Sequence, residues 1–449
     1  MQKQRQARTQ DLTAGPITST MLRFAGPMIL GNLLQQCYNL ADTLIVGRFL
    51  GPDALAAAGS AYTLMTFLNS VLIGLCMGSG TVFSLHFGSK DLKNLRNSVF
   101  LSFTGIGALA VVMQGAAFLA LDAILRLLQV PASVYPLMRD YVQVIFFGIV
   151  FVFLYNYFAF LLRAVGDSFT PLCFLGAAAV GNIALDLFFV VGLEAGIAGA
   201  AWATVLAQAL SGVGLGIFAW LRCPTLRPRR ADCTVTAPAA RRVAWFSAAA
   251  CVQQSVMNFG ILMVQGLVNS FGSAVMAAFA AGVKIDSFAY MPAQEFGNAF
   301  SLFISQNHGA GRQDRVRRGT RSAVIVTAVF CAAVSLFVFE AAPLLMQIFI
   351  APDQTAILSI GVGYLRVEGA FYCGIGLLFL WYGYFRGVGR PEMSLVLTVI
   401  SLGTRVALAY AAAPGFGVTA IWWAVPIGWG LADLAGWWAY RRPRRSENR

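Results

Sequence analysis

Asp42 and Asp186 are carboxylates set inside apolar stretches, CYNLADTLIVGRFLG and AVGNIALDLFFVVGLE. Each stretch reads as a helix that crosses a bilayer. A charge at the centre of such a helix costs at least ~2.5–3.5 kcal/mol, so acids kept there face a water-filled cavity or a partner and work with protons or cations. Tyr38 lies four residues before Asp42, and Asn182 four before Asp186. Side chains at that spacing share a helix face. Two carboxylates in one apolar cavity cannot easily both be ionised, and they titrate as a unit. The pattern is that of a membrane carrier with proton- or cation-binding acids in its first half. Plainer roles stay open. Asp42 also reads as a helix-end acid, Asp186 as a structural or protonated buried acid, Tyr38 as a packing aromatic and Asn182 as interhelical glue.

Composition supports the membrane setting. The chain has 449 residues, 58% hydrophobic and 11% charged, against about 25% charged in soluble domains. A helix needs roughly 20 apolar residues to cross the hydrocarbon core. Twelve such stretches are expected, at about 22–46, 54–84, 97–119, 137–160, 170–192, 197–221, 243–268, 275–305, 321–342, 357–384, 393–412 and 418–440. Several are too long for one straight span, so tilts or kinks are expected. The fold class is therefore an all-α membrane protein of twelve transmembrane helices.

The net charge of +13 is concentrated in alternate loops. Lys90, Lys93 and Arg96 follow the second span, Arg222 to Arg242 the sixth, and Arg312 to Arg321 the eighth. Further basic residues sit in the tails, at Lys3, Arg5 and Arg8 and at Arg441, Arg442, Arg444, Arg445 and Arg449. This bias puts both termini in the cytoplasm and argues against nucleic acid as the partner. The eight cysteines form no CxxC pair and only two histidines are present, so neither a metal site nor a disulfide framework is expected. The polar N-terminus has no short apolar region with a cleavage site, so no removable signal peptide is expected. No GxxxxGK[ST], HExxH or GxSxG occurs, so neither a nucleotide-driven pump nor an enzyme is expected.

The chain repeats at a spacing of about 221 residues. FLGPDALAAAGSA echoes SFGSAVMAAFAAG, pairing Gly51 with Gly272. LLRAVGDSFTP echoes YFRGVGRPEMS, pairing Arg163 with Arg386 and Gly166 with Gly389, and Trp202 pairs with Trp423. Each half holds six spans, an even number, so the halves share one orientation. Parallel repeats of this kind place a substrate cavity at their interface. The expected organisation is a cytoplasmic tail at 1–20, an N-lobe at 21–221, a basic linker at 222–242, a C-lobe at 243–440 and a basic tail at 441–449. The linker reads as a solvated cytoplasmic segment, with anionic-lipid contact the alternative.

These residues resemble the multidrug and toxic compound extrusion (MATE) family. The resemblance is carried by PMILGNLLQQCYNLADTLIVGRFLG, LLRAVGDSFTP, GNIALDLFFVVGLEAGIAGAAWAT, VQQSVMNFGILMVQGLVNSFG and AFSLFISQNHGAG, and it spans about residues 16 to 440. It implies two six-helix lobes in a V around a central cavity. It also implies export of amphipathic, often cationic, organic compounds driven by inward H+ or Na+, with no further cofactor. In the branch related to DinF proteins, the first-lobe site maps onto Asp42, Asn182, Asp186 and Thr204, with Tyr38 beside the first acid. Pro27 matches a first-span proline at which the helix bends. Thr204 bonding back to its own helix is an equal alternative. A monomer in the lipid bilayer is expected.

One departure stands out. The NorM branch uses second-lobe acids for sodium, but the seventh span here carries none. Coupling is therefore expected in the first lobe, by H+ rather than Na+. Gln254 and Asn258 share a face of the seventh span and are candidates to line the cavity, with packing as the alternative. Lys284 and Asp286 are candidates for cavity or gating roles, each pairing elsewhere, with Glu295 one choice for a partner. Arg405 is expected to hold the second lobe together by bonding backbone carbonyls or an acid. The rival functions are a lipid or lipid-linked saccharide flippase of the same wider superfamily and, from another class, a membrane enzyme acting on lipids.

Overall fold

The computed structural model describes residues 10–127, 130–131 and 134–441. Lys3, Arg5 and Arg8, and Arg442, Arg444, Arg445 and Arg449, lie outside the described residues.

The described chain is helical. Its helices are α1 (Ile17–Leu50), α2 (Pro52–Gly88), α3 (Leu92–Leu119), the short α4 (Leu121–Leu127), α5 (Tyr135–Phe146), α6 (Ile149–Ala164) and α7 (Phe169–Asp186). They continue as α8 (Gly196–Arg222), α9 (Ala237–Asn269), α10 (Ser273–Gly309), α11 (Gln313–Gln347), α12 (Thr355–Gly369), α13 (Tyr372–Gly387), α14 (Pro391–Phe416) and α15 (Val418–Arg441). Nine are long and apolar enough to cross a membrane, and two bent pairs bring the number to eleven among the described residues. α1 is 34 residues long yet falls outside that set, because Gln35, Gln36, Tyr38, Asn39 and Asp42 dilute its apolar sequence. Every predicted span coincides with a helix or a bent pair. The chain is a multi-pass helical membrane protein.

The fourth and tenth spans are each two helices. α5 and α6 meet at 44°, α12 and α13 at 49°. The two breaks carry the same packing device. Phe147 stacks on Trp202 at 5.9 Å, and Phe371 meets Trp423 edge-on at 5.7 Å. The repeat also recurs in the turns. Gly51 and Gly272 have φ of 87° and 96°, Gly166 and Gly389 93° and 85°, and Gly196 and Gly417 61° and 68°. Lys90 adopts φ 58° where Gly311 adopts 72°.

The chain forms two compact units. One is built on Arg23–Cys251, the other on Val252–His308 and the chain from Arg312 onward. In the first, α2 lies backbone-to-backbone against the start of α9. A Cβ on Gly78 would sit 2.2 Å from the Phe246 carbonyl oxygen, and one on Gly74 2.5 Å from Cys251 Cα. Small residues one turn apart permit such approach between membrane helices.

Most residues of the basic linker are exposed, and part of it is anchored. It makes two short 3₁₀ turns, Pro224–Leu226 and Arg230–Asp232, that fold against α3. Asn97 Nδ2 donates to the Asp232 carbonyl at 2.8 Å, Arg96 Nε donates to the Thr225 carbonyl at 2.9 Å, and Leu226 and Asp232 are buried. The amide on α3 satisfies linker carbonyls that would otherwise need water.

Candidate functional site

The site grows from the ends of two helices in the first unit. α1 runs through Pro27 and carries Tyr38 and Asp42 on one face. α7 carries Asn182 and ends at Asp186. Beyond Asp186 the backbone widens into a π-helix, Leu187–Gly192, closed by Leu193 N–H donating to the Phe188 carbonyl at 2.9 Å. Such π turns are frequent at functional positions, because they shift the register of the side chains around them.

Asn182 and Asp186 are fully buried, while Asp42 and Tyr38 are partly buried. The Asp42 and Asp186 carboxyls approach closely enough to interact directly. No hydrogen bond of ordinary length joins them. Both Asp186 oxygens, Asp42 Oδ1 and both polar atoms of the Asn182 amide are buried without a hydrogen-bond partner. Polar atoms in apolar protein are nearly always partnered, so a cluster of unpartnered ones points to a ligand or exchangeable proton. Tyr38 lies in the electrostatic range of both acids. So does Tyr141 of α5, which is buried, and Tyr62 of α2 lies near Tyr38. Tyr141 and Tyr62 carry no signal at the level of sequence, since a tyrosine in an apolar stretch reads as packing.

Thr204 does not aim its proton at the acids. Its hydroxyl donates to the Ala200 carbonyl of its own helix at 3.2 Å. Its oxygen lone pairs stay available as acceptors. Among the described residues, no three His, Cys, Asp or Glu side chains gather as a metal site.

In the second unit, Gln254 and Asn258 are partly buried on α9, next to the buried Gln253. Lys284 and Asp286 point apart, as their spacing requires. Lys284 is exposed, with its ammonium 5.8 Å from the Phe349 ring. Asp286 is buried and does not pair with Glu295. Its Oδ1 accepts a hydrogen bond from the Tyr372 hydroxyl, and it interacts with Glu368 and Tyr364 of α12 and with Arg405 of α14. Glu295 instead accepts from Asn298 at 3.3 Å. Asp286 Oδ2, Glu368 Oε1 and Arg405 Nε have no hydrogen-bond partner. The cluster joins α10, α12, α13 and α14, and Arg405 lies in electrostatic range of both acids without an ion pair to either. Tyr364 and Tyr372 have no sequence signal, and although Glu368 is an acid in a predicted span, nothing in the sequence pairs it with Asp286, 82 residues away on a different helix.

These features define a polytopic helical membrane protein with an internal repeat and a buried ionisable site in its first half. A family model named MatE matches residues 27–188 and again 249–411, once in each half. The chain belongs to the MATE family. It is 32% identical over 395 residues to the probable multidrug resistance protein YpnP of Bacillus subtilis, covering 87% of each chain. It is 24% identical over 400 residues to a protein of Shewanella oneidensis named as an FAD transporter, again with 87% of each covered. Its fold is similar to a crystal structure of MATE in the bent conformation, with a TM-score of 0.91, 21% identity and 97% of each chain covered.

Proposed function

We propose that this protein is a proton-coupled antiporter that exports amphipathic, often cationic, organic compounds across the cytoplasmic membrane by alternating access. It acts as a monomer with both termini in the cytoplasm, as the basic loops favour. One observation carries the reading. Asp186 is fully buried, faces Asp42 and has neither oxygen partnered. The drug-resistance name of YpnP supports organic substrates.

The coupling follows from differential affinity. A ligand shifts a two-state balance only by binding one state better. Ionised, the Asp42–Asp186 pair takes up a proton from outside. Protonated, it no longer repels itself, α1 rearranges around Pro27, and organic substrate is released. A proton fits this site better than Na+. Two carboxylates close together in an apolar site repel when both are ionised, which favours proton uptake by one of them, and the phenols Tyr38 and Tyr141 lie in electrostatic range of both. Reconstituted protein tests the ion: an imposed ΔpH alone should drive dye export, and a Na+ gradient at equal pH should not. Export driven by Na+ alone would assign the site to sodium.

The Asp286–Glu368 cluster favours a second reading, with coupling in the second unit, since it too holds buried, unpartnered carboxylate oxygens. Transport that tolerates neutral substitutions at Asp42 and Asp186 but not at Glu368 would select it.

A further inference from the structure

Pro27 interrupts the ladder of α1. Its nitrogen has no proton to give the Arg23 carbonyl, and its ring pushes the preceding turn outward. The next carbonyl, that of Phe24, accepts a hydrogen bond from the Ser168 hydroxyl at 2.7 Å. The bond spans 144 residues, from α1 to the loop between α6 and α7, and both residues are buried.

The local chemistry frees Ser168 for this bond. A serine just before a helix ordinarily caps it by accepting from a backbone N–H. Here Ser168 makes no such cap. Asp167 does that work instead, its Oδ1 accepting from Thr170 N–H at 2.9 Å and its Oδ2 from the Thr170 hydroxyl at 2.7 Å. The loop is itself anchored, since Gln10 N–H donates to the Gly166 carbonyl at 3.1 Å.

The repeat supplies an internal comparison. With Gly166 matched to Gly389, Ser168 falls on Pro391, which has no hydroxyl. Pro27 falls in the alanine run Ala248 to Ala250 of α9. The half with the helix-breaking proline has the serine, and the other half lacks both.

We propose that Ser168 is a positioning residue for the coupling helix. It pins α1 on the N-terminal side of Pro27 to the start of α7, the helix that ends in Asp186. Motion at Pro27 is thereby confined to the part of α1 that carries Tyr38 and Asp42. The functional side of this idea rests on the antiport reading above, but the bond itself does not.

A double-mutant cycle tests it, read by hydrogen–deuterium exchange of α1 peptides from the full protein in nanodiscs. Ser168→Ala should speed exchange in residues 23–32 by roughly three- to tenfold, the range set by one net hydrogen bond. Ser168→Thr, which keeps the hydroxyl, should restore the slow rate. Pro27→Ala restores the N–H to the Arg23 carbonyl and closes the ladder across the break, which holds the same segment in place without the pin, so Ser168→Ala in that background should change exchange by less than about twofold. An equal effect in both backgrounds, or no rescue by threonine, would overturn the proposal. Exchange does not depend on transport, so this result stands apart from any failure of the coupling assignment.

Discussion

Asp186, at the junction of α7 with a π-helix, faces Asp42 of α1 with both of its own oxygens buried and unpartnered. The two acids lie 144 residues apart in sequence. Two helices of one unit bring them together, and one of those helices contains the proline about which movement is proposed.

The cluster of Asp286, Glu368 and Arg405 should be tightly balanced. Removing one partner of a buried ion pair leaves an uncompensated charge and costs about 3–5 kcal/mol. Arg405 is only partly buried and lies in electrostatic range of the acids without an ion pair, so Arg405→Met should destabilise by less than about 3 kcal/mol. Glu368→Gln in the same protein should return much of the loss, since it removes a negative charge. Thermal unfolding in detergent reads both, and a fully additive double variant would show that the side chains are not coupled.

Gly166 and Gly389 provide a matched pair. Both have positive φ, which costs an L-residue about 1–2 kcal/mol. A Cβ on Gly166 would also sit 2.1 Å from the Gln10 carbonyl oxygen, whereas one on Gly389 meets nothing within 4 Å. Gly166→Ala should therefore release the segment near Gln10 and speed its cleavage by protease, while Gly389→Ala should leave that cleavage unchanged.

The contact of α2 with α9 should tolerate no added atom. Gly78→Ala places a methyl 2.2 Å from the Phe246 carbonyl oxygen, and overpacking typically costs about 1–3 kcal/mol. Its unfolding temperature should fall by several degrees. Gly59→Ala, with nothing within 4 Å, should match wild type or exceed it slightly, since alanine is the better helix former.

Much of this was legible in the sequence, because the bilayer enforces simple rules. Apolar length marked the spans beyond the polar-diluted α1 most clearly, and an acid in an apolar stretch marked Asp42 and Asp186. The repeated glycines were visible, and they occupy matching left-handed turns. The breaks after Phe146 and Gly369 were hidden. No proline marks them, and Phe147 and Phe371 look like any membrane phenylalanine until Trp202 and Trp423 pack on them. The linker's arginines suggest water and most of them are exposed, but the capture of two linker carbonyls by Asn97 of α3 was hidden. Tyr141, Glu368 and the Ser168–Phe24 bond depend on tertiary approach between helices. Nothing in local spacing reports that.

The most direct measurement is ethidium export by reconstituted protein under an imposed ΔpH, comparing wild type with Asp42→Asn and Asp186→Asn. Both substitutions keep side-chain volume and remove the exchangeable proton. Each should abolish ΔpH-driven export while the protein stays folded and inserted. Export that survives both substitutions would contradict a coupling site in the first unit.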